Sequence, residues 1–523
     1  MPSRRRKVGN AWKGAAVLTA AALVTKLLSA LYRIPYQNMV GDIGFYIYQQ
    51  IYPIYGIVVA LSLTGYPVAV SRLIAERMAV PDAAGAAAVG RAALFVLGAI
   101  GAALFALLYI GAETVALWMG DRRLEPLLRQ LSFSFLLFPP LAWLRGYFQG
   151  RHDMAPTAMS QVVEQSVRVT AILGLSYWVL RRGGDDYACG MAAIAGTLAG
   201  MVAALFVLLC FLVQRRPQGW REPAPPALTR RFARHLLTAG SLVCLTNMAL
   251  TLIPLVDSFL FVPLLKEAGT KLNEGQWLKG VYDRGQPLIQ LGTVVGTSFS
   301  LALVPLISGA RRPDDATAHG ALAIRIAAVI GAGASLGLVC LIRPINQMLF
   351  ENTHGSLLLA VLSASVFFTT IALTASALLQ GIGKERVAAV GVAIGVAGKM
   401  ALMHWFVPLW GALGAAAATT GAYALMAAFL YAALPRECRA AGYRCAFPIV
   451  KAAAVMVIVL RGYLWVLTSA FDGRLWAAVA ALGGSAIGAA VYVACIVKSR
   501  AFSEREWSML PFVSSFRLRI GGK

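Results

Sequence analysis

Charge is scarce in this chain. Only 13% of its 523 residues are Asp, Glu, Lys or Arg, about half the share of a soluble globular protein, while 59% are hydrophobic and the mean hydropathy is +0.70. That excludes a water-soluble fold. Acid is scarcer than base: 23 Asp and Glu face 47 Lys and Arg, a formal net charge of +24. The bases are scattered over loops rather than gathered on one domain, so they read as positive-inside topology and attraction to anionic headgroups, not as a nucleic-acid surface. The seven cysteines (Cys189, Cys210, Cys244, Cys340, Cys438, Cys445 and Cys495) form no C-x-x-C pair and lie mostly in apolar runs, which removes disulfide frameworks and thiolate metal sites. No cofactor is expected. Gly381-Ile-Gly-Lys384 lacks the first glycine and the preceding strand of a phosphate loop. The few histidines have no acid or nucleophile at catalytic spacing, and the longest outer connection, 266–282, is short for an active site, so an enzyme is not expected.

What is present is length in apolar runs. Stretches of about 20 residues, enough for a hydrocarbon layer of about 30 Å, recur from end to end. They predict fourteen helices over 11–32, 43–75, 85–111, 127–148, 156–180, 187–214, 236–263, 283–308, 318–343, 356–380, 387–409, 411–434, 447–469 and 475–498. Pro53 and Pro67 interrupt the second, where neighbours or water must make good the missing donors. The start, MPSRRRKVGNAWKG, has a basic signal-like end, but the run behind it carries Lys26 and no clear cleavage site, so it reads as an uncleaved first span. Loop cations, Arg145 counted among the inner ones and Lys279 among the outer, favour one side by more than two to one and place both termini in the cytosol. The stretch Gln214–His235, rich in Pro and Arg without apolar periodicity, reads as a linker.

The chain also echoes itself. Gln149-Gly150 and Gln380-Gly381 are 231 residues apart, and the same offset carries Lys26 to Asp257 and Arg168 to Lys399. Six helices separate the copies, so they share one orientation. The reading is an all-α polytopic membrane protein with 14 transmembrane helices: two six-helix lobes related by a pseudo-two-fold axis along the membrane normal, plus two C-terminal helices. The divisions are 1–214, a linker at 215–235, 236–434 and 435–523.

Ionisable groups inside such helices are costly and mark function by default. They are Lys26, Glu164, Arg168, Asp257, Arg325, Lys399 and Arg461, with Arg33, Asp283 and Arg284 nearer the outer ends; Arg325 and Arg461 are placed to snorkel to an interface and carry no functional reading. Glu164 and Arg168, one turn apart, are expected to pair, and Asp257 is expected to pair with Lys26. Lys26, Arg33, Arg284 and Lys399 have no carboxylate one turn away in their own helix. Cations therefore prevail, and a cationic site in a low dielectric favours an anion, phosphate above all. The aromatic series Tyr32, Tyr36, Phe45, Tyr46, Tyr48, Tyr52 and Tyr55 reads as an interfacial belt, or else as a sugar-stacking surface.

The segments AALVTKLLSALYRIPYQNMVGDIGFYIYQQIYPIY and LSLTGYPVAVSRLIAE resemble the stage V sporulation protein B group of polysaccharide transporters, and VYDRGQPLIQLGTVVGTSFSLALVPLIS, residues 281–308, is similar to the eighth helix of MurJ-type lipid II flippases. Both groups belong to the multidrug/oligosaccharidyl-lipid/polysaccharide exporter superfamily. The resemblance implies alternating-access export of an undecaprenyl-diphosphate-linked saccharide such as a peptidoglycan precursor. It implies a cavity lined by Lys26, Arg33 and Arg284, with Asp283 matching the Asp-Arg pair of the eighth helix; the buried charges themselves add Lys399 and Arg168 as further cations and Asp257, Asp283 and Glu164 as coupling or charge partners. The run around Leu61 and Ser62 lacks the Arg of the MurJ pattern, which fits the sporulation branch better. The expected setting is a monomer in a bacterial cell membrane, driven by the potential alone or with Na+ or H+ as coupling ion. The rival reading is a multidrug cation antiporter, which would want a cavity of carboxylates.

Overall fold

A computed structural model of the chain describes residues 21–502 apart from 22–23, 26, 79–82, 216–225, 295–296, 298–312, 471–472 and 500–501. The described residues are helical throughout, with no strand. The elements that matter here are α1 (Arg33–Val59), α2 (Tyr66–Met78), α3 (Ala83–Ile110), α4 (Ala112–Trp118), α5 (Glu125–Ser132), α6 (Ser134–Gly150), α7 (Ala155–Arg181), α8 (Asp186–Arg215), α9 (Pro226–His235), α10 (Ser241–Asn247), α11 (Ala249–Glu267), α12 (Leu272–Asp283), α13 (Pro313–Phe350), α14 (Ser356–Gly381), α15 (Glu385–Trp410), α16 (Ala412–Ala432), α17 (Arg436–Arg444), α18 (Ala446–Ala470) and α19 (Arg474–Lys498). Eleven described stretches are long and apolar enough to cross a bilayer. This is a multi-pass membrane protein. Most of the expected first helix and all of 298–308 in the eighth lie outside the described residues.

Leu27–Met78 is one helical stretch of 52 residues, about 78 Å at 1.5 Å per residue, more than twice a hydrocarbon layer. Gly41 divides it: at φ 74, ψ −176 the chain leaves the helix, and only glycine takes that conformation without strain. The second pass does not simply break at its prolines. Between them it widens into a π-helical segment, Ala60–Gly65. In an i→i+5 pattern the donor owed to the Ser62 carbonyl is residue 67, a proline with no N–H. The described end of the stretch expected as a linker is helical: α9 buries Phe232, over which the Arg77 guanidinium lies at 5.1 Å.

The chain forms two compact units. One comprises Met1–Pro287 and Val396–Ala415, the other Leu288–Gly395 and Ala416–Lys523. In the second, α13 packs on α14 and α19, with Ser335 Oγ donating to the Ser363 carbonyl (3.0 Å) and Tyr492 donating to the Val329 carbonyl (2.8 Å). The first unit holds the charged residues discussed below. Its helices approach through small residues, as helices in lipid do. A Cβ on Gly196 would lie 2.6 Å from the Ile172 nitrogen, and one on Gly200 would lie 2.7 Å from the Glu164 carbonyl and 2.8 Å from Arg168 Cβ. Gly146 and Gly150 seat α6 equally closely on α2.

The Gly196–Gly200 spacing on α8 thus sets the position of α7 and its charges. Replacing Gly200 by Val should cost about 1–3 kcal/mol through overpacking, read as a lower midpoint in thermal unfolding of the detergent-solubilised protein, with Gly183→Ala, a solvent-side turn, as a comparison for strain alone.

Candidate functional site

The site is built where α1, α7, α11, α12 and the last part of α15 bring ionisable groups together within the first unit. α12 supplies most of them in one short run, Lys279-Gly-Val-Tyr-Asp-Arg284. Gly280 lets α1 come close: a Cβ there would meet the Asp42 carbonyl oxygen at 2.1 Å. Asp42, the first residue after the Gly41 break, consequently faces Arg284 and takes it by both oxygens, at 2.6 and 2.7 Å from Nη2. Gln37 Nε2 donates to the same carboxylate at 2.9 Å. Lys279 lies 2.5 and 2.7 Å from the two oxygens of Asp283, one turn on. Lys399 Nζ reaches Asp257 at 2.7 Å and donates to the Ala415 carbonyl at 3.1 Å, and the Tyr282 hydroxyl donates to the second Asp257 oxygen at 2.8 Å.

These pairings correct several expectations. Arg284 and Lys399 have carboxylate partners, but on other helices, which spacing within one helix does not reveal. Asp257 holds Lys399; Lys26, its expected partner, lies outside the described residues. Asp283 is engaged by Lys279, a residue counted among the outer loops yet only 2% exposed. Glu164 does not pair with Arg168. Its carboxylate receives Arg145 Nη2 at 2.6 Å, and Arg145, counted among cytosolic loop residues, is wholly buried. Arg145 also donates to Ser160 Oγ (3.2 Å) and, through Nη1, to the Ser62 carbonyl (3.2 Å), whose i+5 position is Pro67.

Two of the expected cations remain without any carboxylate at ion-pair distance among the described residues: Arg33 and Arg168. Both are buried, at 0% and 3% exposure. They are boxed in tyrosine instead. Arg33 lies 4.2 Å over the Tyr52 ring. Arg168 lies 4.9, 5.4 and 5.8 Å from the rings of Tyr55, Tyr32 and Tyr52, donating to the hydroxyls of Tyr55 (3.3 Å) and Tyr32 (3.1 Å). The aromatic series is therefore packed core, not an interfacial belt: Tyr32, Tyr36, Tyr48 and Tyr55 are all under 5% exposed.

A ring face contributes about 0.5–2 kcal/mol to a cation, whereas desolvating an ion costs several. The tyrosines ease the burial of two guanidiniums without neutralising them. Nε and Nη2 of Arg33 and Nε of Arg168 have no hydrogen-bond partner. Buried charged N–H groups without a protein acceptor favour acceptor oxygens, and the guanidinium fork matches phosphate bidentately. Among the described residues no group of His, Cys, Asp or Glu is placed to hold a metal ion. Sequence reasoning missed Asp42, Arg145, Lys279 and Tyr282; an Asp directly after a glycine at a helix break was the one visible sign.

Comparison with known proteins identifies the chain's relatives. A family model described as "Polysaccharide biosynthesis protein" matches residues 11–310. The chain is 40% identical over 511 residues to the "Uncharacterized membrane protein YabM" of Bacillus subtilis (strain 168), covering 96% of this chain and 95% of that one. It is 27% identical over 519 residues to the lipid II flippase MurJ of the same organism, covering 92% and 94%. A solved structure of lipid II flippase MurJ in an inward closed conformation superposes with a TM-score of 0.66 at 15% identity, over 93% of this chain and 99% of that chain, which shows a shared fold. The family resemblance read from the sequence is borne out.

The Asp257–Lys399 pair makes a direct test of buried pairing. Asp257→Leu or Lys399→Met alone should destabilise the protein by about 3–5 kcal/mol, because each leaves one buried charge alone. The double variant should recover most of that loss, and a double-mutant cycle of unfolding midpoints measures it.

Proposed function

The chain belongs to the polysaccharide biosynthesis protein family, and on that footing we propose that it is a flippase carrying an undecaprenyl-diphosphate-linked saccharide from the inner to the outer leaflet of a bacterial cell membrane by alternating access. The observation that carries this reading is the pair Arg33 and Arg168, buried, without carboxylates and with donor nitrogens unused. A diphosphate supplies several acceptor oxygens and the negative charge that the tyrosine box withholds. Arg284 and Lys399, committed to Asp42 and Asp257, act as positioning charges around that site. The cation excess argues against a multidrug cation antiporter, whose cargo these buried cations would repel.

The polyprenyl chain stays in lipid, so only the headgroup needs the polar interior. With the cell interior negative, each negative charge carried outward gains about 2.3 kcal/mol per 100 mV, and an anionic headgroup is thereby driven toward the outer leaflet.

The test is transport of fluorescent undecaprenyl-diphosphate saccharide in proteoliposomes under an imposed potential. Arg33→Gln and Arg168→Gln should each lower the rate about ten- to a hundredfold, the loss of a charged hydrogen bond of about 1.5–3 kcal/mol, with insertion and thermal midpoint retained. Wild-type rates in both variants would remove the guanidiniums from the mechanism.

A further inference from the structure

The same unit contains a second polar feature that the diphosphate reading does not use. A cavity of about 410 Å³ opens among the helix ends at 119–123, 185–187 and 272–276, inside the range of roughly 300–1,000 Å³ typical of small-molecule sites. Its walls combine Ile43 and Leu272 with Asp186, Tyr187, Asn273 and Gln276. Behind them Asp121, 4% exposed, is an organising post. Its Oδ2 accepts from Tyr187 (2.6 Å), Gln276 (3.0 Å) and Tyr46 (3.3 Å), and its Oδ1 accepts from the Arg123 backbone N–H (3.1 Å). With so many donors spent on it, Asp121 fixes the Tyr187 ring and the Gln276 amide rather than binding cargo itself. Arg123 is flattened on the Tyr187 ring at 3.8 Å and tied to Asp185 at 2.6 Å, which widens the planar wall.

The chemistry of this lining is that of a sugar site and not of a phosphate site. Three carboxylates (Asp121, Asp185 and Asp186) face two arginines, and both arginines are already held, Arg123 by Asp185 and Arg122 by Glu113. An anion is repelled. A ring bearing hydroxyls finds a carboxylate and two amides to bond, with Tyr187, Ile43 and Leu272 for its C–H faces.

Placement adds a second argument. Gln276 and Arg284 are eight residues apart on one helical run, about 12 Å at 1.5 Å per residue. Ile43 in the cavity wall is next in sequence to Asp42, the partner of Arg284. The cavity is thus next along the chain to the Arg284–Asp42 pair, whose charges stand around the diphosphate site.

We propose that this cavity is the saccharide subsite, taking an uncharged or amine-bearing sugar ring of the lipid-linked substrate; the assignment rests on the flippase reading for its cargo. Saturation-transfer NMR on the full chain in detergent, with N,N′-diacetylchitobiose, maltose and glucosamine at millimolar concentration, tests it without transport. Inorganic pyrophosphate binding is measured in parallel as the property of Arg33 and Arg168. At least one sugar should give protein-contact signals, and Asn273→Ala and Asp186→Asn, which leave the bonds to Asp121 in place, should each weaken them at least fivefold while pyrophosphate still binds. No signal from any sugar, signals unchanged in both variants, or sugar and pyrophosphate binding lost together would overturn the subsite. Absent pyrophosphate binding in the wild type would instead count against the diphosphate reading, whichever way the sugar result falls.

Discussion

A charge inside an apolar slab must find an opposite charge, a ring face or a ligand, and the first unit of this protein is arranged by that demand. Three buried cations draw partners from other helices: Arg145 on α6 takes Glu164 on α7, Arg284 takes Asp42 on α1, and Lys399 on α15 takes Asp257 on α11, while Lys279 takes Asp283 within α12. The attraction in a low dielectric is strong, but so is the desolvation it offsets. The pairs therefore specify which helices adjoin more than they add to stability. Within that lattice of satisfied pairs, Arg33 and Arg168 stand apart because neutral tyrosines, by ring face and hydroxyl, answer them in place of a carboxylate. Their surplus has meaning because so much around them is balanced.

Small residues make the arrangement possible. Helices in lipid gain little from burying apolar surface against one another, so they depend on close backbone approach. Gly196 and Gly200 bring α8 onto α7 just behind Arg168, and Gly280 brings α12 onto Asp42. A bulkier residue at either place would move a charge away from its partner, and the unit would lose both packing and electrostatics in one step.

The helices were legible in the sequence because bilayer thickness imposes a length on every apolar run. The expected 187–214, 356–380, 387–409 and 475–498 fall within two residues of α8, α14, α15 and α19 at both ends. The irregular features were not: the π segment and the short α12 have no periodic signature of their own. Of the site, the identities of the buried charges were legible, since Lys, Arg, Asp and Glu are conspicuous among apolar neighbours. Their partners were not. Glu164 has Arg168 one turn away and yet chooses Arg145, because Tyr55 and Tyr32 already engage Arg168. Pair choice depends on neighbours distant in the chain, and spacing within a helix carries none of that information.

The π segment of the second pass shows how two local faults can cancel. Pro67 withholds a proton that the widened helix owes to Ser62, while Arg145 brings more protons to the interior than one carboxylate can absorb. Set beside each other, the debt and the surplus settle at the Ser62 carbonyl. Residues 67 and 145 are then one genetic unit although 78 positions separate them. A chain that regained a backbone proton at 67 would crowd Arg145 out of its berth, and a chain that lost Arg145 would leave a bare carbonyl in the membrane. Relatives of this protein should therefore keep both or replace both together.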